Sequence, residues 1–427
     1  MAALREAPFW WEDAPLLAVG STRPLADGVD VAVVGGGYTG LSAARTLARG
    51  GARVVVLEEE SIGWGASSRN GGQVLTGLKA GPAALLARYG RTRARALFAA
   101  SLQAIAFLES VIGEEGIDCG HHRCGHLHAA FKRGHVAFLQ HEAELLERDF
   151  DHPVQVLGQA ALGDELASPL YHGALVDERS GALHPARYVR GLAAAAERAG
   201  ADLRPFTGVR AVHRAPGGFR LETAGGALRA RDVLVATNGY TGAVAPALRR
   251  RVVPVGSYIV ATAPLGRARA EALLPKRRVV FDSKHFLFYF RLSDDDRLLF
   301  GGRAQFTPAT AASTRRAAGI LRRGMLQVFP DLADVPLEFA WSGNVCFTPD
   351  MLPRHGVLDG VHHALGYSGH GVALATWLGH VEALAILGRP ADSPFAELPF
   401  RALPLYGGRP WFLPAAGLWY RLRDWVG

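Results

Sequence analysis

The sequence predicts an α/β fold with an α+β second part: a Rossmann-like nucleotide-binding domain interleaved with a domain built on an antiparallel sheet. Three observations carry this. The apolar run Val31 to Val34 turns at Gly35-Gly36-Gly37, continues as a helical pattern through Leu47, and returns to the apolar run Val54 to Leu57, which is one β-α-β unit. A second strand, glycine turn and helix follow at Leu365 to Val372. Between them, from Arg251 onward, long strand candidates succeed one another. At 427 residues the chain exceeds one simple core and suits two domains.

Gly35, Gly37 and Gly40 stand at GxGxxG spacing. The first permits the tight turn, the second lets backbone approach a pyrophosphate, and the third lets helix pack on strand, with the phosphates over the helix start at Tyr38 and Thr39. Glu58 closes the second strand, where a carboxylate accepts hydrogen bonds from ribose hydroxyls and repels a 2′-phosphate, favouring FAD or NAD over NADP. The run Gly65 to Gln73 then supplies the hydroxyls of Ser67 and Ser68, the guanidinium of Arg69 and the exposed backbone of Asn70, Gly71, Gly72 and Gln73. Arg69 can fork onto phosphate.

With its GGGYTGLS, GASSRNGGQ and GYSGHG segments the chain resembles the D-amino-acid-oxidase-like (DAO) superfamily of FAD enzymes, and most closely its γ-glutamylputrescine oxidase-like branch. The resemblance covers nearly the whole chain and implies a glutathione-reductase-type, DAO-like fold with FAD as cofactor. It implies that Ser67 to Gln73 lie along the pyrophosphate and flavin, that Val209 meets the adenine through its backbone, and that Thr237 and Asn238 pass near the dinucleotide. The turn Gly369, His370, Gly371 and Val372 should aim backbone amides and the positive helix end at the flavin N1 and C2 carbonyl, with His370 adding a donor. Departures narrow the chemistry. Ala373 stands where the similar sarcosine oxidase has a carboxylate-binding lysine, and Leu299 falls near its oxygen-activating lysine. Cys346 lacks the offset of a flavin-linking cysteine, so the FAD is expected to be noncovalent.

The remaining elements follow in order. Phe9-Trp10-Trp11 reads as an arm packed by its aromatics, and after the Gly81-Pro82 break a helix runs from about Ala83 to Val111. A strand at Gly125 to Phe131 and a helix at Val136 to Phe150 complete the first part of the second domain. Strand Leu175 to Asp177, helix Ala186 to Ala199, and strands near Ala201 to Phe206, Val209 to His213, Phe219 to Thr223 and Asp232 to Ala236 return to the nucleotide-binding domain. Strands at Gly256 to Thr262, Val279 to Phe281, Phe286 to Leu292 and Arg297 to Gly302 form the roof, followed by helix Ala311 to Phe329 and strand Phe339 to Trp341. The expected domains are therefore 26–80, 151–245 and 345–395 for FAD, 81–150 and 246–344 for substrate, and a tail, 396–427, packed on the body.

Composition excludes several classes. The formal charge of +8 comes almost wholly from scattered arginines, with lysine only at Lys79, Lys132, Lys276 and Lys284, so no nucleic-acid stripe is expected. Three cysteines make no disulfide framework, the N-terminus lacks a signal-peptide pattern, and no apolar run free of charge reaches membrane-spanning length, which together point to a cytoplasmic protein. The cluster Cys119, His121, His122, Cys124, His126 and His128 matches no zinc spacing, and no metal is expected. Monomer and homodimer both remain open.

For substrate contacts the sequence offers Tyr258, His285, Tyr289, Arg291 and Arg303 on the roof, with His370 from the glycine turn. Tyr289 and Arg291 share one strand face and Phe288 and Phe290 the other. The resemblance implies hydride transfer from the α-C–H of a neutral amine to flavin N5, imine hydrolysis, and reoxidation by dioxygen to hydrogen peroxide. A dehydrogenase passing electrons to a quinone or protein, and a flavin-binding protein without turnover, are the alternatives.

Overall fold

A computed structural model describes residues 4–16, 24–302 and 310–426. Among these residues two eight-stranded sheets carry the architecture. The first orders its strands Arg354–Leu358, Val361–Leu365, Gly226–Val235, Gly28–Val34, Val54–Leu57 and Asp202–Arg204. They run parallel except for the outermost strand, Arg354–Leu358. Strands Val209–Ala215 and Gly218–Thr223 add an antiparallel meander to the first half of Gly226–Val235. The central strands are buried on both faces, which is why they read as unbroken apolar runs. Val31, Val33, Val54 and Val56 pack on the helices Tyr38–Arg49, Pro185–Arg198 and Gly371–Ile386. Ala32, Val34, Val55 and Leu57 pack on the meander.

The second sheet runs Leu337–Phe347, Val253–Thr262, Leu298–Gly302, Phe288–Leu292, Val279–Asp282, His126–Ala129, Gly173–Asp177 and Gln155–Gly158. Two expectations are corrected here. The sheet is not wholly antiparallel, because Val279–Asp282 runs parallel to His126–Ala129. The strands 155–158 and 173–177, assigned from sequence to the nucleotide-binding domain, hydrogen-bond into this sheet beside His126–Ala129. Leu127 and Val176 bury with Phe290 and Phe329 in one apolar core, a pairing that no local pattern announces. Leu337–Phe347 is also far longer than the three residues expected, because it pairs with Val253–Thr262 along its length.

The helix Pro82–Glu115 is long and apolar enough to cross a membrane by length and composition alone, which the sequence reading did not anticipate. Its Leu85, Leu97, Phe98 and Leu108 pack instead into the main core. Its first turns are set off by a non-helical Gly90 at φ 71° and ψ 168°.

The two helices that flank the nucleotide-binding turns pack tightly against each other. A Cβ at Gly379 would collide with Thr39 O, so only glycine admits this approach. The contact is also polar: Thr39 Oγ1 meets Tyr367 Oη at 2.7 Å, Ser42 Oγ donates to Thr376 O at 2.6 Å, and Thr46 Oγ1 meets His380 Nδ1 at 2.9 Å. Residues 39, 42 and 46 lie on one helical stripe.

Further along the second helix, the buried Glu382 carboxylate meets His355 Nδ1 at 2.8 Å and His362 Nδ1 at 2.6 Å, one from each strand of the 354–365 hairpin. Burial raises the Glu382 pKa, but these two hydrogen bonds outweigh it and bring it to about 2. A carboxyl depressed from its ordinary 4.5 stabilises the fold above that value and loses the contribution as pH falls toward 2. Ionised Glu382 therefore stabilises the fold near neutrality, by an amount on the order of a few kcal/mol. Denaturant unfolding of the protein should show stability falling between about pH 5 and pH 2, and Glu382→Gln should lower neutral stability while flattening that limb. A variant with an unchanged acid limb would remove Glu382 from this role.

Candidate active site

Where the strands Gly28–Val34, Val54–Leu57 and Gly226–Val235 end, the two helix starts and the second sheet enclose a cleft of ≈ 830 Å³. Gly35 takes a φ of +107°, and a Cβ at Gly40 would collide with Gly35 O, so the turn closes only with glycine at 40. Gly40 thus shapes the cradle from behind and does not border it. Gly35, Gly37, Tyr38 and Thr39 do border it. The Tyr38 N–H donates to Ser67 Oγ at 2.9 Å, and a Cβ at Gly37 would come within 2.8 Å of that oxygen. Glu58 Oε2 accepts from Gly36 N–H at 2.7 Å and Oε1 from Glu60 N–H at 3.0 Å, which fixes the carboxylate at the cleft wall. Burial raises its pKa.

The segment 65–73 is held differently from expectation. Ser67, Arg69, Asn70, Gly71 and Gln73 border the cleft; Ser68 and Gly72 do not. Ser68 is fully buried and its Oγ accepts from the Trp11 indole at 3.1 Å. Gly72 turns inward, its carbonyl accepting from Leu183 N–H at 2.9 Å and Arg291 Nη1 at 3.2 Å. Arg69 is not an open fork: Nε donates to Trp64 O at 2.7 Å and Nη1 to Ser342 O at 3.2 Å, with the guanidinium stacked 4.7 Å from Trp11 and 4.4 Å from Trp64. Asn70 turns its side chain onto its own loop, donating to Ala66 O and Ser67 O at 3.0 Å and accepting from Gly72 N–H at 2.8 Å.

Three indole N–H groups therefore grip three consecutive residues of this turn. Trp11 holds Ser68 Oγ, Trp341 holds Arg69 O at 2.8 Å, and Trp10 holds Asn70 O at 2.9 Å. The N-terminal arm is thus a structural part of the cradle, whereas its sequence suggested packing alone.

The second turn, Gly366 to Gly371, is tied down from both sides. Asn238 Oδ1 accepts from Gly366 N–H at 2.9 Å, and Ser368 N–H donates to Cys346 O at 2.9 Å. Gly369, His370, Gly371 and Val372 border the cleft, as do Val209, Thr237 and Asn238. His370 caps the helix Gly371–Ile386 without using its side chain, and its Nδ1 is buried with no hydrogen-bond partner. Burial, reinforced by the nearby Lys79 ammonium, pushes the His370 pKa down to about 3, so the imidazole is neutral at ordinary pH.

On the roof, the alternation of strand side chains sorts the candidates. Ser257 and Ile259 border the cleft, so Tyr258 points to the opposite face, where its hydroxyl donates to Ser313 Oγ at 2.9 Å in the second core. Tyr289 borders the cleft, its hydroxyl 2.9 Å from Ser257 Oγ. Arg291 shares that face but lies buried behind the turn, bonded to Gly72 O and to Leu183 O at 2.9 Å. His285 precedes the strand and lies outside the cleft lining, where Phe281 and Leu287 stand instead. Arg303 falls outside the described residues. Sequence reasoning missed Lys79, Tyr240 and Ser257, all on the cleft wall. Lys79 carried a usable signal, as one of four lysines and six positions after Gln73.

Within the cysteine and histidine cluster His122 and Cys124 hydrogen-bond each other, while Cys119 is buried in the main core, His126 Nδ1 meets Ser180 Oγ at 2.8 Å, and His128 faces Glu142 at 3.5 Å.

An unpartnered buried imidazole nitrogen, an open helix start and a glycine cradle in one cleft fit a dinucleotide carrying a polar ring system. Trp10→Phe keeps the ring but removes the bond to Asn70 O. It should weaken FAD binding about fivefold, equivalent to one hydrogen bond of ~1 kcal/mol, in reconstitution of the apoprotein followed by flavin fluorescence. An unchanged Kd would show that the arm does not order the turn.

Comparison with known proteins agrees with this geometry. The DAO family model, described as FAD dependent oxidoreductase, matches residues 30–383. The gamma-glutamylputrescine oxidoreductase of Escherichia coli (strain K12) is 35% identical over 405 residues, covering 93% of each chain. The probable oxidoreductase OrdL of Haemophilus influenzae is 34% identical over 395 residues, covering 89% of this chain and 88% of the relative. Among solved structures, glycine oxidase from Geobacillus kaustophilus superposes with a TM-score of 0.72 at 25% identity, covering 89% of this chain and 99% of that one. The chain therefore belongs to the DAO family of FAD-dependent oxidoreductases.

Proposed function

We propose that the enzyme oxidises a C–N bond in an amine or amino acid derivative resembling γ-glutamylputrescine. The observation that carries this reading is that His370 and the start of helix Gly371–Ile386 border the same cleft as Tyr289, beneath the roof. When bound, FAD supplies at N5 the hydride acceptor for the α-C–H of a neutral amine, after which water hydrolyses the imine and dioxygen is reduced to hydrogen peroxide. The chain's own residues supply the rest. Phe281, Leu287 and Ile259 give the cleft an apolar wall, which disfavours a charged ammonium and holds the amine in its reactive neutral form. The Tyr289 hydroxyl, oriented by Ser257, offers a hydrogen-bond partner to the substrate nitrogen. His370, neutral and unpartnered within the protein, together with the helix start, favours negative charge on the ring system bound against it. Lys79 brings positive charge to the wall, suited to a carboxylate remote from the reacting nitrogen.

Two further points belong to the same reading. Burial holds the Cys346 thiol up at about 12, which leaves it protonated and unreactive, in keeping with noncovalent FAD. The free thiols Cys119, Cys124 and Cys346 suit a reducing cytoplasm. A dehydrogenase reading is favoured by one observation: Leu299, the position expected for an oxygen-activating lysine, is buried in the apolar cluster with Trp10 and Trp341.

The test is anaerobic flavin absorbance across γ-glutamylputrescine, putrescine, sarcosine, glycine and D- and L-amino acids, followed by air. Bleaching by γ-glutamylputrescine with peroxide on aeration is the expected result, and a flavin that no amine bleaches would overturn the assignment. Fast reoxidation by a quinone with little peroxide would select the dehydrogenase. His370→Ala should slow flavin reduction at least tenfold, as expected for a lost donor beside developing charge. Acid precipitation should release all the flavin into the supernatant; flavin retained on the pellet would contradict the noncovalent link.

A further inference from the structure

Over residues 413–419 the C-terminal helix Leu413–Val426 is apolar on the side facing the body and apolar again on the side facing away. Inward, Leu413 is 4% exposed and packs with Val255 and Phe347, with Phe412 against the same cluster. Outward, from the turn before the helix, Trp411 is 70% exposed, Leu418 73% and Trp419 58%, and Pro414 and Ala415 between them are exposed as well. Positions 411, 414, 415, 418 and 419 follow the i, i+3, i+4, i+7, i+8 spacing of a single stripe. Leu405, 94% exposed, stands on the same tail. Scattered exposed leucines are ordinary, but a continuous tryptophan and leucine stripe with no polar residue in it is unpartnered surface.

Charge indicates the partner. Residues 401–427 contain Arg401, Arg409, Arg421 and Arg423, no lysine, and the single acid Asp424. Arg401 and Arg409 are exposed. Tryptophan and leucine on one face with arginines around them is the composition of helices that lie in the interface of an anionic bilayer. A second copy of the chain would set these arginines against one another across a two-fold axis, which disfavours self-association. Fourteen residues of helix are about 21 Å long, too short to span a bilayer and suited to lying along its surface.

We infer that this helix is a docking surface for an anionic membrane, seated flat with Trp411, Leu418 and Trp419 in the headgroup region. The surface lies apart from the candidate active site. Val345 and Phe347 both border the cleft and contact the helix cluster, so the helix and the cleft share one strand.

The test is co-sedimentation of purified holoenzyme with phosphatidylglycerol/phosphatidylcholine vesicles and with pure phosphatidylcholine vesicles, at low and physiological salt. Partitioning at least tenfold stronger into the anionic vesicles, weakened by salt and lost in the triple variant W411S/L418S/W419S, is expected. The variant should keep its flavin spectrum and its reduction by amine in solution, and because the readout is lipid binding, its failure and that of the amine assignment are separable. No partitioning into anionic vesicles, or equal partitioning by the triple variant, would overturn the inference. A concentration-dependent dimer abolished by the same substitutions would also overturn it and assign the face to a second copy.

Discussion

The site depends on the contact between the helices Tyr38–Arg49 and Gly371–Ile386. One begins at the first glycine turn and the other at the last, more than three hundred residues later, and both starts face the same cleft. Gly379 allows the backbones to approach until Thr39 O occupies the space of a side chain, and the hydrogen bonds of Thr39, Ser42 and Thr46 fix the register along the stripe. The Glu382 pair of hydrogen bonds then fixes the second helix to the hairpin whose last strand ends at Leu365, just before the His370 turn. Two helix starts that border one cleft would favour a bound group carrying negative charge at either end.

The rest of the molecule restrains the segment between these ends. The turn 65–73 is held from within by the Asn70 side chain and from outside by Trp10, Trp11 and Trp341 and by the stacking of Arg69 between Trp11 and Trp64. Groups that look available in sequence are therefore already committed. Arg69 and Asn70 shape the turn, which leaves their side chains committed within the protein.

Much of this was legible in the sequence, and the boundary of legibility is physical. The β-α-β unit, the Glu58 strand end and the His370 turn are local patterns, set by residues within a few turns of one another, and each stands where its spacing predicted. Long-range pairing was not legible. The strands 155–158 and 173–177 joined the second sheet because Leu127 and Val176 complete a core with Phe290, a fact about volumes across the fold. The roof shows the same limit within single strands. A period of two told that Tyr289 and Arg291 share a face, but not that Arg291 would be drawn under the turn by Gly72 O and Leu183 O while Tyr289 stayed in the cleft. Tyr258 failed as a candidate by one residue of register, since its neighbours Ser257 and Ile259 face the cleft. Lys79 lies in an irregular stretch between strand Gln73–Val74 and helix Pro82–Glu115, where no periodicity indicates direction.

On this reading the two helix starts share one FAD between them. The most direct test is a crystal structure of the holoprotein. The expected result is the pyrophosphate over Gly35 to Thr39, the ribose hydroxyls on Glu58, and the flavin N1 and C2 carbonyl against His370 and the start of helix Gly371–Ile386, with Tyr289 across the ring. A flavin bound in the reverse direction, or one that leaves His370 Nδ1 without a partner, would contradict it.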